Sequence, residues 1–100
     1  MTDDLDLMFK ALAHPLRREI LLWLKTPEQH FPDQEHSLEF GVCAGQIDRR
    51  AGLSQSTVSA HLASLQRAGL VSSRKVGQWH FFRRNETAIL AFIQRIGEQL

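Results

Sequence analysis

A stretch of small and polar side chains begins near residue 54 and carries the strongest chemical signal in the sequence. Val58, Leu62 and Leu65 recur at helical spacing and define one apolar face of a helix. The opposite face carries Gln55, Ser56, Ser59, Ala60, Ala63 and Arg67. Because most of these side chains are short, such a face can approach base edges in a DNA major groove. The pattern favours a DNA-reading helix, although a solvent-facing helical hairpin would also produce it.

A DNA-reading helix needs a second helix to position it, and residues 46–70 supply both. Ile47 marks the inner face of the first helix, and Gly52 can end that helix through positive φ. Ser54 then caps the second helix, since its oxygen can accept an orphan backbone N–H near Thr57. The range therefore predicts a helix-turn-helix unit.

The positive charge is concentrated in the same part of the chain. Residues 48–84 carry seven basic side chains and one acidic, whereas residues 1–47 carry four basic and eight acidic. Clustered basic charge is typical of a phosphate-binding surface, because neutralised phosphates release their counterions. The net charge of +1 hides this asymmetry, which a solvated basic face would also explain.

Residues 71–84 predict a β-hairpin directly after the helix-turn-helix unit. The hairpin starts at Val71 and turns near Gly77. Basic residues stand on both sides of the turn and could lie along a phosphate backbone or enter a minor groove: Arg74, Lys75, Arg83 and Arg84. Aromatic residues fill the second strand, and we expect them to belong mostly to the core, with Trp79 and Phe81 on one face and His80 and Phe82 on the other.

Both ends of the chain predict amphipathic helices that would meet in a dimer. The first carries Leu5, Met8, Phe9 and Leu12 at helical spacing, and the last carries Ile89, Phe92, Ile93, Ile96 and Leu100. Asn85 is a favourable N-cap for the last helix. Because so broad an apolar stripe is hard to bury in a small domain, we expect a two-fold homodimer interface built from both helices.

Residues 26–39 are the least regular part of the chain. They follow a heavily apolar second helix, which is expected to start at Pro15 after His14 as a turn residue. Connections of this length without their own structure are uncommon and are often functional or disordered. A tolerated surface loop insertion is the simpler interpretation.

Length and composition fit one globular domain over residues 1–100, with 43% hydrophobic and 23% charged residues. The single cysteine, Cys43, excludes an internal disulfide and fits a reducing compartment. The sequence shows neither a signal-peptide pattern nor an apolar run of membrane-spanning length, so we expect a cytoplasmic protein. No nucleophile–base pair, carboxylate pair or glycine-rich phosphate loop has suitable spacing, so an enzyme is not expected.

Three stretches resemble the ArsR/SmtB family of bacterial one-component repressors. They are FKALAHPLRREILLWL for the first two helices, LSQSTVSAHLASLQRAGLV for the recognition helix and SSRKVGQWHFFRRN for the wing. The resemblance implies a mainly α winged helix-turn-helix fold with a small β-hairpin. It also implies a homodimer joined through the first and last helices, which represses at a palindromic operator until an inducer binds.

The same resemblance assigns contacts to double-stranded DNA. They fall to Ser54, Gln55, Ser56, Thr57, Ser59 and His61 of the recognition helix and to Arg74, Lys75 and Gln78 of the wing. His61 stands at the flank of the apolar stripe, so a partly buried, backbone-bonded role is equally compatible with its position. The family's Cys-x-Cys metal site is reduced here to Cys43-Ala44-Gly45, and the last helix contains no histidine. Neither a metal nor a cofactor is therefore expected.

Cys43 has three interpretations. It could be a small buried hydrophobe, a single-thiol sensor of oxidants or electrophiles, or part of a mixed metal site with His30 and His36. None of them identifies the inducer. The alternative to a DNA-binding regulator is a winged-helix module for dimerisation and protein interaction without DNA binding, which the clustered basic charge and the polar helix face argue against.

Overall fold

The computed structural model describes residues 4–100, which form six helices and a three-stranded sheet. The helices are α1 (Asp4–Leu12), α2 (Pro15–Lys25), α3 (Pro27–His30), α4 (Ala44–Ala51), α5 (Gln55–Arg67) and α6 (Glu86–Gln99). The strands are β1 (Val42–Cys43), β2 (Val71–Val76) and β3 (Trp79–Arg84), and one 3₁₀ turn spans Leu38–Phe40. The order confirms the predicted winged helix-turn-helix fold. Within the same residues, no helix combines the length and apolar character needed to cross a bilayer.

Polar side chains cap three of the helices, and the sequence predicts two of these caps, at Ser54 and Asn85. The Leu16 N–H donates to His14 Nδ1 at 3.2 Å before α2, and the Thr57 N–H donates to Ser54 Oγ at 3.3 Å before α5. The Ala88 N–H donates to Asn85 Oδ1 at 3.1 Å before α6. These bonds satisfy backbone donors that the first turn of a helix leaves without partners.

Helix α5 packs its apolar face into the centre of the core. Val58 and Leu65 are fully buried and pack with Ile20 of α2 and Ile47 of α4. Gly52 ends α4 in the left-handed conformation at φ 68°, which lets the chain turn sharply from α4 into α5. The core therefore fixes how the exposed face of α5 is presented.

The sheet contains one strand more than the predicted hairpin. Its order is β1-β3-β2 with antiparallel pairing, and β1 places Val42 opposite Phe82. The strand is possible because Gly41 precedes it at φ 102°, where a Cβ atom would lie 2.7 Å from the Phe82 carbonyl oxygen. Only glycine permits this approach of the two backbones.

The 26–39 region, which the sequence analysis interprets as a tolerated surface loop insertion, has regular structure and a buried side chain of its own. It contains α3 and most of the 3₁₀ turn, and the Phe31 side chain is only 2% exposed within the main core. The Gln34 amide donates to the carbonyl oxygens of His36 and Gly41 at 3.1 Å each and accepts the Cys43 N–H at 2.8 Å. We call residues 26–41 the α2–β1 connection.

The aromatic residues of β3 divide between buried and exposed positions. Phe82 belongs to the main core, and Phe81 is covered by the rings of His36 and Phe40 from the α2–β1 connection. The prediction of core packing is thus confirmed for Phe81 and Phe82. It was wrong for Trp79, which is 44% exposed.

The two terminal helices form one apolar surface. Phe9 of α1 and Phe92 of α6 meet edge to face, with ring centroids 5.6 Å apart. Large apolar side chains on this surface remain open, including Phe9 at 46% and Ile93 at 58% exposure. Leu5 differs from the prediction, because it is 5% exposed and has little surface left for a partner.

Candidate nucleic-acid interface

The first two turns of α5 present a polar face that is not occupied by packing. Gln55, Ser56 and Ser59 are exposed, whereas Val58 between them is buried. Within residues 4–100 the side chains of Gln55 and Ser59 form no hydrogen bond, so both are available to a ligand. A short, unoccupied polar face can come close to base edges.

The serine and threonine hydroxyls at the start of α5 form a small network. Ser54 Oγ lies 2.9 Å from Thr57 Oγ1 and 3.3 Å from Ser56 Oγ. All three residues are exposed. Because Ser54 also accepts the Thr57 N–H, its orientation is fixed by the cap, and the network suits phosphate binding at a helix N-terminus.

His61 lies at the flank of this face and bonds to another helix. Its Nδ1 accepts the Nε–H of Arg17 at 3.1 Å, and its ring lies 4.4 Å from the His14 ring. Burial lowers the pKa of His61 below its usual range, and the charges of His14 and Arg17 lower it further. The partly buried role is therefore the one observed, with a side chain rather than the backbone as its partner. In the neutral ring the proton sits on Nε2, which remains a donor.

Basic side chains from α1 and α2 lie beside α5, where the sequence did not predict basic charge. Lys10, Arg17 and Arg67 surround a cavity of about 180 Å³ beside α5, with Ser64 at its wall. Arg17 also donates to the Lys10 carbonyl oxygen at 3.3 Å, and Arg67 donates to Ser64 Oγ at 3.2 Å. The first two were missed because they lie in the acidic half of the chain, and only their place beside α5 in the fold reveals them.

The wing carries less free charge than the sequence predicts. Arg84 pairs with Glu86 at 2.6 Å and donates to the Leu21 carbonyl oxygen at 3.3 Å, and Arg83 donates to the Glu39 carbonyl oxygen. Both guanidinium groups therefore bond within the protein, which is a correction to the predicted basic hairpin. On β2 the exposed charges are Arg74 and Lys75.

The remaining wing residues have the exposure that a phosphate contact needs. Lys75 and Gln78 are exposed on either side of Gly77 in the turn, and Arg74 is exposed with its guanidinium 5.3 Å from the centre of the Phe40 ring. The Gln66 amide of α5 donates to Ser73 Oγ at 3.0 Å, so the wing and the recognition helix are directly connected.

Cys43 is a buried residue at the N-cap of α4, with 8% of its surface exposed. This burial favours its interpretation as a small hydrophobe. Among residues 4–100, no three histidine, cysteine, aspartate or glutamate side chains are grouped to hold a metal ion. The mixed site with His30 and His36 therefore has no support in the geometry.

Comparison with known proteins agrees with this arrangement. Residues 42–73 match the family model described as bacterial regulatory protein, arsR family. The uncharacterized HTH-type transcriptional regulator YbzH of Bacillus subtilis is 40% identical over 84 residues, covering 82% of this chain and 84% of YbzH. The chain belongs to the ArsR family. ArsR-family proteins are DNA-binding transcriptional regulators, so this chain is a transcriptional regulator and not an enzyme.

Two similar proteins have known structures. The transcriptional activator HlyU of Vibrio cholerae is 34% identical over 87 residues, covering 87% of this chain and 68% of HlyU. Its structure matches with a TM-score of 0.66, at 31% identity over 96% of this chain and 90% of the other. A Mycobacterium bovis protein, Mb0332, described as a homodimeric winged helix-turn-helix DNA-binding domain, matches with a TM-score of 0.66 at 26% identity, covering 97% and 81% of the two chains.

Proposed function

We propose that this ArsR-family regulator is a repressor that binds a palindromic operator as a homodimer and releases it when an inducer binds. The observation that carries the proposal is the exposed short polar face of α5, which is held from behind by Val58, Leu62 and Leu65. A face backed by core residues keeps one geometry, as base reading requires.

Base reading and phosphate binding fall to different side chains. Gln55 has a free amide that can bond adenine at two positions, and Ser59 can donate to or accept from several bases. Arg74, Lys75 and Gln78 of the wing suit phosphate contacts, which position the protein without reading sequence. The network around Ser54 serves the phosphate at the helix N-terminus.

The dimer would form through the apolar surface of α1 and α6. Its large exposed side chains are those of Phe9, Leu90 and Ile93. The contact between Phe9 and Phe92 joins the two helices into one surface. The homodimeric state of the Mycobacterium bovis domain supports this assembly. A two-fold dimer places two recognition helices in successive major grooves, roughly 34–36 Å apart.

Operator selection from random duplexes with the purified protein tests the proposal. We expect an inverted repeat whose half-site centres lie about 10–10.5 base pairs apart, two chains per duplex in sedimentation, and a steep fall of affinity with salt. A reporter with the selected operator across its promoter then distinguishes repression from activation, which matters because HlyU is described as an activator.

Each part of the proposal has its own contrary result. Indifference to every duplex would indicate a winged-helix interaction module without DNA binding. One chain on one half-site would contradict the homodimer, and increased transcription from the reporter would contradict repression.

A further inference from the structure

A second cavity, distinct from the DNA-binding face, lies where the α2–β1 connection meets α4 and the wing. Its volume is about 280 Å³, room for roughly nine water molecules. The connection contributes Asp33, Glu35 and His36, and Arg49 of α4 and Trp79 of β3 close the other sides. This volume lies just below the usual range for ligand pockets, so the cavity suits only a small organic molecule.

Two sets of contacts build the walls of this cavity. The Gln34 amide bonds to the His36 and Gly41 carbonyl oxygens and to the Cys43 N–H, which holds the connection against β1 and the start of α4. The His36 ring lies 5.1 Å from the Trp79 ring. The cavity therefore has a defined shape although it lies next to an irregular segment.

The charged residues of the cavity have no partners of their own. In the described part of the chain, no basic side chain lies within 4.0 Å of the carboxylates of Asp33 or Glu35, and no carboxylate lies that close to Arg49. By contrast, the neighbouring Arg50 points away, with its guanidinium 5.1 Å from the Trp23 ring and a bond to the His30 carbonyl oxygen. All three residues are also exposed to solvent, so charges of both signs line one small cavity without pairing with each other.

We propose that this cavity binds a zwitterion of amino-acid size and is the inducer site. The ligand's carboxylate pairs with Arg49, its ammonium pairs with Asp33 and Glu35, and its side chain lies against the exposed indole of Trp79. The inducer role rests on the proposed function, whereas the binding of a zwitterion does not.

The position of the cavity explains how its ligand would act on DNA binding. Trp79 opposes Val76 at the end of the hairpin, directly beside the wing turn that carries Gln78. Arg49 lies on α4, which packs against the recognition helix. A ligand that draws Arg49, the α2–β1 connection and Trp79 together would favour one arrangement of the wing relative to α5. The ligand acts as an inducer if that arrangement binds DNA more weakly.

Tryptophan fluorescence measures ligand binding without DNA. The chain has two tryptophans, so a Trp23→Phe protein reports on Trp79 alone. We would titrate it with each of the common α-amino acids, and with the amine and the carboxylic acid that correspond to each one that binds. We expect saturable change for one or a few amino acids, with roughly tenfold or greater loss of affinity when either charge is missing.

Matched variants locate the site. Arg49→Gln and the double variant Asp33→Asn with Glu35→Gln should each weaken amino-acid binding roughly tenfold to hundredfold. Arg50→Gln on the same helix and Glu28→Gln on α3 change similar charges outside the cavity and should leave binding unchanged. The thermal melting curve of each variant, compared with that of the wild type, shows whether the variant folds.

Reciprocal coupling tests the inducer role. The amino acid should weaken operator affinity in wild type by the same factor by which operator DNA weakens amino-acid binding. No fluorescence change with any amino acid, equal binding by the singly charged analogues, or unchanged binding in Arg49→Gln would overturn the site. Amino-acid binding that leaves operator affinity unchanged would overturn the inducer role, and absence of operator binding without any ligand would instead contradict the proposed function.

Discussion

Arg17 of α2 and His61 of the recognition helix are joined by a hydrogen bond, Nε to Nδ1, at 3.1 Å. The same guanidinium donates to the Lys10 carbonyl oxygen of α1 at 3.3 Å. One side chain of α2 therefore connects α1 with α5. Because His61 can accept this bond only when Nδ1 is unprotonated, the connection depends on pH.

Acidification should weaken the fold through His61. Its pKa in the folded chain lies below the ordinary value of 6.5, because burial, His14 and Arg17 disfavour the charged ring. As pH falls, the ring takes up a proton in the unfolded chain at a higher pH than in the folded chain. The contribution of the neutral His61 ring to the free energy of unfolding is therefore fully present above about pH 6.5. It is lost as pH falls through the pKa of the ring in the folded chain. Urea unfolding at a series of pH values, with an NMR titration of the His61 ring, measures both quantities.

The His61→Gln variant isolates this effect from other titrating groups. Glutamine keeps an acceptor for Arg17 but cannot take up a proton, so the unfolding free energy of the variant should fall less on acidification. His80→Gln changes an exposed histidine of β3 and should behave like wild type. Equal pH dependence of wild type and His61→Gln would show that this ring does not link proton binding to folding.

The sequence could predict elements whose signal is local. The cap at Ser54, the turn at Gly52 and the apolar stripe of α5 each follow from a few neighbouring residues, and all are observed. Strand β1 could not be predicted, because two residues carry no periodicity and its existence depends on Gly41 approaching Phe82 in space. The exposure of Trp79 likewise depends on the cavity beside it, which the sequence does not encode locally.

Some candidate site residues could likewise be predicted from neighbouring residues, whereas others depend on the tertiary fold. Ser56 and Ser59 could be assigned because helical spacing alone places them outside the apolar stripe of α5 that contains Val58. Arg17 could not, since it is 44 positions from its partner His61. Arg84 was misassigned to the wing surface because its ion pair with Glu86 and its bond to the Leu21 carbonyl oxygen depend on the tertiary fold.

Phe31 should contribute strongly to stability although it lies in an irregular segment. Its ring is 2% exposed and lies 6.5 Å from the Trp23 ring, so Phe31→Ala removes a buried aromatic side chain and leaves a cavity. We expect a loss of about 3–5 kcal/mol in the free energy of unfolding, measured with urea. Glu28→Ala in the exposed face of α3 should change it by less than about 0.5 kcal/mol. Small, similar effects of both substitutions would indicate a loosely attached loop.

Gln55→Ala should relax operator specificity. Removal of a side chain that bonds a base is expected to cost about 1–3 kcal/mol of binding free energy with the selected operator and to make one position tolerant of other bases. Binding to a matrix of single-base operator variants measures both effects. Lys75→Ala provides the contrast, since loss of a phosphate contact should weaken all duplexes alike and reduce the salt slope by about 1. A uniform loss in Gln55→Ala would contradict base reading.

Cys43 should be protected from reagents in the folded protein. Cys43 is 8% exposed, and its backbone N–H donates to the side chain of Gln34. The thiol of the folded protein should therefore react with an aromatic disulfide much more slowly than the thiol of the protein unfolded in urea. Operator affinity should accordingly be unchanged by brief oxidant treatment and retained in Cys43→Ala. Rapid oxidation with loss of operator binding in wild type, absent from Cys43→Ala, would instead establish a single-thiol sensor.

Ile93→Asp should separate the dimer into monomers. Ile93 is 58% exposed on the apolar surface of α6, and a two-fold interface would place its substitution on both subunits at once. Two carboxylates would then lose hydration close to each other, at a cost of several kcal/mol to the assembly but little to the isolated fold. Sedimentation equilibrium should show a monomer, with an unchanged melting curve at low concentration and weakened binding to the full palindrome. Ala91→Asp adds the same charge on another exposed position of α6 and should remain dimeric. If both variants kept the wild-type mass, the pairing surface would have to lie outside the face formed by α1 and α6.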